Sequence, residues 1–246
     1  MSWRKYFLAG LALCLALPGA RAADVQSVRV PSGAEIVSER YPAAGGTMLV
    51  WLTGQYGRVE AEHRAAADLA AHGVETWVTD LYEPYFLPPL PSSIDQVPEA
   101  DLQAWLAALH AAHPGRRIIL GAPGRQATLA LRAAASGLVD GAVLAFPILY
   151  KDIEPGEMPE YDPVVDRTRL DIVILQPHSS AGYWWRERLK ERLEAAGSRV
   201  RVDVLDGLRD GFFERGDVTD QETAAAHHLG DMLYAALQEL DPGKTR

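Results

Sequence analysis

Apolar and polar positions alternate over residues 25–30 and again over 35–41, as in strands with one covered face, and predict two outer antiparallel strands. Residues 47–52 then run almost without a polar side chain, which suits a strand covered on both faces. From 59 to 72, alanines, leucines and charges recur at helical spacing until Gly73 stops the run, and 74–81 reads as the next strand. The alternation continues with an amphipathic helix over 98–113 carrying Leu102, Trp105, Leu106 and Leu109, and an apolar run after Arg116. A helix over 124–136, strands over 139–146 and 171–176, a helix over 183–196 and a strand over 198–205 follow. The pattern closes with one helix expected over 220–240. Strands and helices in this order predict a single α/β domain, with a mostly parallel central sheet, right-handed crossovers and helices on both faces.

Two stretches interrupt the rhythm. Residues 82–98 hold Pro84, Pro88, Pro89 and Pro91 among Tyr82, Tyr85 and Phe86, so an ordered loop is expected there instead of a helix. Residues 151–169 carry Asp152, Glu154, Glu157, Glu160, Asp162 and Asp166 among prolines. They are expected to form a solvated excursion, since their spacing matches no EF-hand calcium loop.

The N-terminus changes the picture of where the domain works. Arg4 and Lys5 precede an apolar core over 7–17 that is too short to cross a bilayer, and Ala20-Arg21-Ala22 has the small-x-small cleavage pattern. Residues 1–22 are therefore expected to be a secretory signal, and 23–246 an exported domain, periplasmic or secreted, without a membrane span. The single cysteine, Cys14, lies in the signal segment, which excludes disulfides and thiol chemistry from the mature chain. Loss of Arg4, Lys5 and Arg21 takes the formal net charge from -9 to -12, a field that repels nucleic acid.

The chemistry is expected where the apolar strand after Arg116 ends in Gly121-Ala122-Pro123-Gly124-Arg125 and a helix begins at once. A strand turning so sharply into a helix leaves one residue at the tip, beneath the helix N-terminus, as in the G-x-S-x-G nucleophile elbow. Read on that pattern, the serine's place holds Pro123, which has no nucleophilic atom. There is no His-x-x-x-His pair, no G-x-G-x-x-G and no Lys-Ser/Thr after a glycine loop, so neither a metal nor a cofactor is expected.

With Thr53-Gly54-Gln55-Tyr56-Gly57 after the third strand and the elbow after the fifth, the chain resembles the α/β-hydrolase fold over nearly all of its mature length. The resemblance implies an oxyanion loop at 53–57 and a triad acid within Gln176-Pro177-His178-Ser179-Ser180. It implies a triad histidine within Asp206-Gly207-Leu208-Arg209-Asp210-Gly211-Phe212-Phe213. The three triad positions then hold Pro123, Ser180 and Asp210. A serine hydrolase needs a nucleophile, a base and an orienting acid. The expectation is therefore a catalytically inactive protein that binds a small molecule or an envelope protein in the former cleft. Two alternatives stand beside it. One is an active ester or peptide hydrolase with relocated groups, such as Ser179 or Ser180 with His178. The other is an envelope interaction module using the proline-rich and acidic loops. Candidate binding residues are Gln55, Tyr56, Gly124, Arg125, His178 and Arg209. Arg209 is expected to pair with an internal carboxylate such as Asp80 or Asp210, and the alternative is that Arg125 and Arg209 hold a small anion at the helix N-terminus.

Overall fold

The computed structural model describes residues 23–55, 57–151 and 157–241. The expected signal segment, residues 1–22, lies outside the described residues, as does Tyr56. Among the described residues one sheet contains β1 (Asp24–Arg29), β2 (Glu35–Tyr41), β3 (Thr47–Leu52), β4 (Glu75–Thr79), β5 (Arg117–Pro123), β6 (Gly141–Ala145), β7 (Asp171–Ser179) and β8 (Arg199–Arg209). Their spatial order is β1-β2-β4-β3-β5-β6-β7-β8. β2 runs antiparallel to both β1 and β4, and the remaining neighbours are parallel. The near-continuous apolar runs of β3, β5 and β6 are buried on both faces, as the sequence pattern demands.

The helices are α1 (Glu60–Ala71), α2 (Glu99–Ala112), α3 (Gln126–Ala134), α4 (Ala181–Ala196), α5 (Asp220–His227) and α6 (Leu229–Glu239). One core layer joins Leu102, Trp105, Leu106 and Leu109 of α2 and Leu129 and Leu131 of α3 to Val50, Leu120 and Ile174 of the sheet, with Leu189 and Leu193 of α4. The other joins Ala65, Ala66 and Leu69 of α1 and Leu229, Leu233 and Leu237 of α6 to Leu49, Ile119 and Val173. None of the described helices is long and apolar enough to cross a membrane.

Three expectations change. The last helix is two, because His228 leaves helical geometry at φ -100° and ψ 17°. The break turns the Leu229, Leu233 and Leu237 stripe of α6 onto α1, which buries apolar surface that a straight helix would misdirect. The proline-rich loop contains two 3₁₀ turns, Glu83–Tyr85 and Pro91–Gln96, and buries Ser93 and Ile94. The acidic excursion is not simply solvated. Tyr161, Val164 and Val165 are buried in it, Tyr150 bridges to Tyr161, and Asp162 accepts from Arg132 at 2.9 Å. Residues 152–156 of that excursion lie outside the described residues.

Candidate active site

The C-terminal ends of β3, β5, β6 and β8 open on a cavity of about 680 Å³. Its walls include Gln55, Pro123, Gly124, Arg125, Phe146, Asp210, Glu214 and Arg215. A cleft beyond the carboxyl ends of parallel strands is where α/β sheets place their ligands.

The strand-to-helix turn is sharp, and its tip is Gly124. Gly124 has φ +51°, whereas Pro123 is the last residue of β5 and pairs with Ala145 of β6. The proline ring fixes φ near -65°, so Pro123 cannot take the left-handed tip position that a glycine occupies readily. This corrects the reading that set Pro123 in the serine's place by one residue. The Gly124 N–H donates to the Ala145 carbonyl at 2.9 Å, and its carbonyl accepts from Ile148 at 3.0 Å. Gly121, which anchored the motif on sequence, is a glycine for packing: a Cβ there would overlap the Trp51 ring. α3 starts two residues beyond the tip, and its N-terminal N–H groups and their partial positive charge face the cavity end of the sheet.

Ser180 and Asp210 come together because β7 and β8 run side by side, with Ser179 opposite Arg209 after an irregularity in register at Pro177. The residue that follows each strand is Ser180 after β7 and Asp210 after β8. The Ser180 oxygen accepts from Gln176 Nε2 at 2.7 Å and from the Tyr183 N–H at 3.2 Å, which caps α4. Its hydroxyl donates to the Pro177 carbonyl at 2.9 Å, and the Asp210 carboxyl lies close to it. Asp210 lines the cavity, and its Oδ1 is buried without a hydrogen-bond partner. Burial pushes its carboxyl up to about 6, against the Ser180 hydrogen bond and the attraction of Arg215.

Two further acids carry no motif in the sequence. Glu214, four residues beyond Asp210 on the same turn, also lines the cavity with a buried and unpartnered Oε1. Burial and then repulsion from Glu62 push it up to about 8. Glu62 of α1 accepts from Trp51 Nε1 at 2.8 Å and from the Val59 N–H at 3.2 Å. Burial raises it to about 7 against these bonds and the nearby Gly54 N–H, and Asp80 adds repulsion. The signal that could have found Glu214 is a carboxylate directly after Phe212-Phe213, where burial is forced.

The other candidates divide. Gln55, Gly124 and Arg125 line the cavity, and Arg125 Nη1 donates to the Tyr150 carbonyl at 3.3 Å. Tyr56 lies outside the described residues. His178 is exposed and packs its ring 4.4 Å from that of Tyr183, away from the cavity lining. Arg209 holds Glu222, with Nε–Oε1 at 2.8 Å and Nη2–Oε2 at 2.7 Å, and donates to the Asp217 carbonyl. Its internal partner is thus Glu222 of α5, not Asp80 or Asp210, because β8 runs on to Arg209 and delivers it to the α5 N-terminus. No group of three His, Cys, Asp or Glu side chains among the described residues could hold a metal ion.

No family model matches the chain, and none of the curated proteins matches it in sequence. Solved structures do match. A dienelactone hydrolase candidate from Klebsiella pneumoniae superposes with a TM-score of 0.64 at 17% identity, over 89% of this chain and 100% of that one. Esterase 2 of Thermogutta terrifontis gives 0.61 at 16% identity, covering 93% and 96%. An esterase of Pyrobaculum calidifontis gives 0.66 at 12% identity, covering 88% and 85%. The chain has the α/β-hydrolase fold, in a single domain. The expectation of a non-catalytic protein, and with it that of a mere binding cleft, is corrected by these neighbours, which are hydrolases and esterases. That expectation equates loss of the Ser-Asp-His set with loss of chemistry, whereas the cavity is lined by the Asp210 and Glu214 carboxyl groups and by the residues that lead into α3.

Proposed function

We propose that the protein is an ester hydrolase in which Asp210 is the general base and water is the nucleophile. One observation carries the reading: Asp210 Oδ1 is buried on the cavity wall without a hydrogen-bond partner, in a cleft that also contains the start of α3. A carboxylate with a pKa near 6 is ionised at neutral pH and is still basic enough to take a proton. Asp210 removes a proton from water as the water oxygen bonds to the ester carbonyl carbon. The oxyanion forms against the N-terminal turn of α3, whose dipole favours negative charge. Collapse breaks the bond to the leaving oxygen, which takes the proton from Asp210, and a carboxylic acid, an alcohol and ionised Asp210 result. Ser180 positions the base, since its own oxygen is fixed by Gln176 and the Tyr183 N–H. The alternative pairing of Ser179 or Ser180 with His178 is not supported, as the His178 ring packs on Tyr183. The likeness to esterases of the same fold supports the reaction class.

The test is hydrolysis of short-chain esters by the wild type and by Asp210→Asn, with folding checked by circular dichroism. Loss of a general base lowers the rate by about 10²–10⁴-fold. Equal rates for the two proteins, or no hydrolysis above buffer by the wild type, would refute the proposal.

A further inference from the structure

We infer that Glu214 is a second catalytic residue of this cleft, a carboxylic acid that donates a hydrogen bond to the substrate carbonyl oxygen as negative charge develops there. The inference rests on the ester-hydrolase reading and names the group that completes the loop side of its oxyanion site. In this fold the donors come from the N-terminus of the helix after the elbow and from the loop after the third strand. Gly54 opens that loop, and Glu62 of α1 lies near its N–H. Glu62 is 2% exposed and is held by Trp51 Nε1 and the Val59 N–H. Glu214 stands over the same glycine. A Cβ built at Gly54 would overlap the Glu214 carboxyl, so the side chain occupies the space above the loop where a donor is needed.

What surrounds Glu214 keeps it neutral. Among the described residues no hydrogen bond or ion pair reaches its carboxyl, and Oε1 is buried. Glu62 faces it from α1 with Asp80 behind, and Asp210, Arg215 and Asp217 share its own turn. Arg125 faces the cavity from the start of α3 and donates to the Tyr150 carbonyl. Arg215 is held by Asp217 in a two-point pair at 2.8 and 2.6 Å. Burial and the neighbouring Glu62 thus leave Glu214 protonated at neutral pH, with a pKa of about 8. A protonated carboxyl is a donor, and a fixed neutral acid of this kind stabilises an oxyanion without giving up its proton. No bond is made or broken at Glu214; its proton stays on its own oxygen throughout.

The experiment is kcat/KM against pH, from about 5 to about 10, for hydrolysis of a short-chain ester, a range that brackets both carboxyl groups. It uses the wild type, Glu214→Gln, Glu214→Ala and Asp210→Asn, with thermal unfolding of each to confirm the fold. The wild-type rate falls above about pH 8 as Glu214 ionises. Glu214→Gln keeps a neutral donor, so it stays within about tenfold of the wild type at pH 7 and loses the alkaline limb. Glu214→Ala drops about 10²–10³-fold, as loss of an oxyanion donor does. An alkaline limb that persists in Glu214→Gln assigns it to Glu62 and overturns the inference, as does full activity of Glu214→Ala. Asp210→Asn separates the two readings. If it is as active as the wild type while the Glu214 variants behave as stated, the base assignment fails and the donor assignment stands.

Discussion

Gly124→Ser puts a hydroxyl on the residue that forms the tip of the β5–α3 turn, and its consequences follow from the local geometry. A Cβ at this position would meet the Phe146 ring at 3.8 and 4.0 Å, which is ordinary contact, so packing does not forbid the change. The backbone does resist it, because φ is +51° and an L-residue in the left-handed region costs about 1–2 kcal/mol. For a domain of this size each kcal/mol lowers Tm by about 2–4 °C, so the variant should melt roughly 2–8 °C below the wild type. The hydroxyl would lie in the same cavity as Asp210, beneath the N-terminus of α3. The assay is covalent capture by paraoxon, which phosphorylates the structurally similar Thermogutta esterase. Gly124→Ser should be labelled one-to-one, and the label should disappear when Asp210→Asn is added. The wild type should remain unlabelled, and Pro123→Ser should react far more slowly, because residue 123 is held in the sheet by its pairing with Ala145. Labelling of Pro123→Ser together with an inert Gly124→Ser would refute the placement of the tip.

Two further outcomes are expected. On the acid side, the wild-type kcat/KM should rise with pH through about 6 to a plateau that ends near 8, since Asp210 acts only when ionised; a profile flat from pH 5 to 7 would exclude it as the base. The Arg209 guanidinium holds the Glu222 carboxyl well below the usual carboxylate range. The pair's stabilisation is therefore complete above the ordinary glutamate pKa of about 4.3 and fades as pH falls below it. Thermal unfolding of Glu222→Gln should fall below that of the wild type at pH 7, with the gap closing on acidification. A gap that does not change with pH would show that charge has no part in it.

Most of the scaffold was legible in the sequence. The uninterrupted apolar run Thr47–Leu52 could only be a strand covered on both faces, and the strand–helix alternation then dictated a parallel sheet. The site was legible in outline but displaced in detail. Gly121 and Gly124 look alike in a motif, yet one is small to admit Trp51 and the other is small to turn left-handed, and a pattern cannot tell these reasons apart. Asp210 was visible as a departure from the expected histidine, but its burial beside Ser180 is created only by the β7–β8 pairing. Glu214 and Glu62 lie far apart in sequence and act on each other across the cavity wall, so neither stood out alone. Arg209 was drawn to Glu222 because the helix break and the α5 capping box fix where that acid sits, a tertiary outcome without a local signal.

The proposed reaction is hydrolysis without a side-chain nucleophile. The most direct measurement is therefore stopped-flow release of nitrophenol from a nitrophenyl ester at high enzyme concentration, with acid-quenched samples weighed intact. Attack by water predicts product release that is linear from the first turnover, no acylated protein at any time, and a rate that collapses in Asp210→Asn. A burst equal to the enzyme concentration, with an acylated species in the quenched samples, would contradict it.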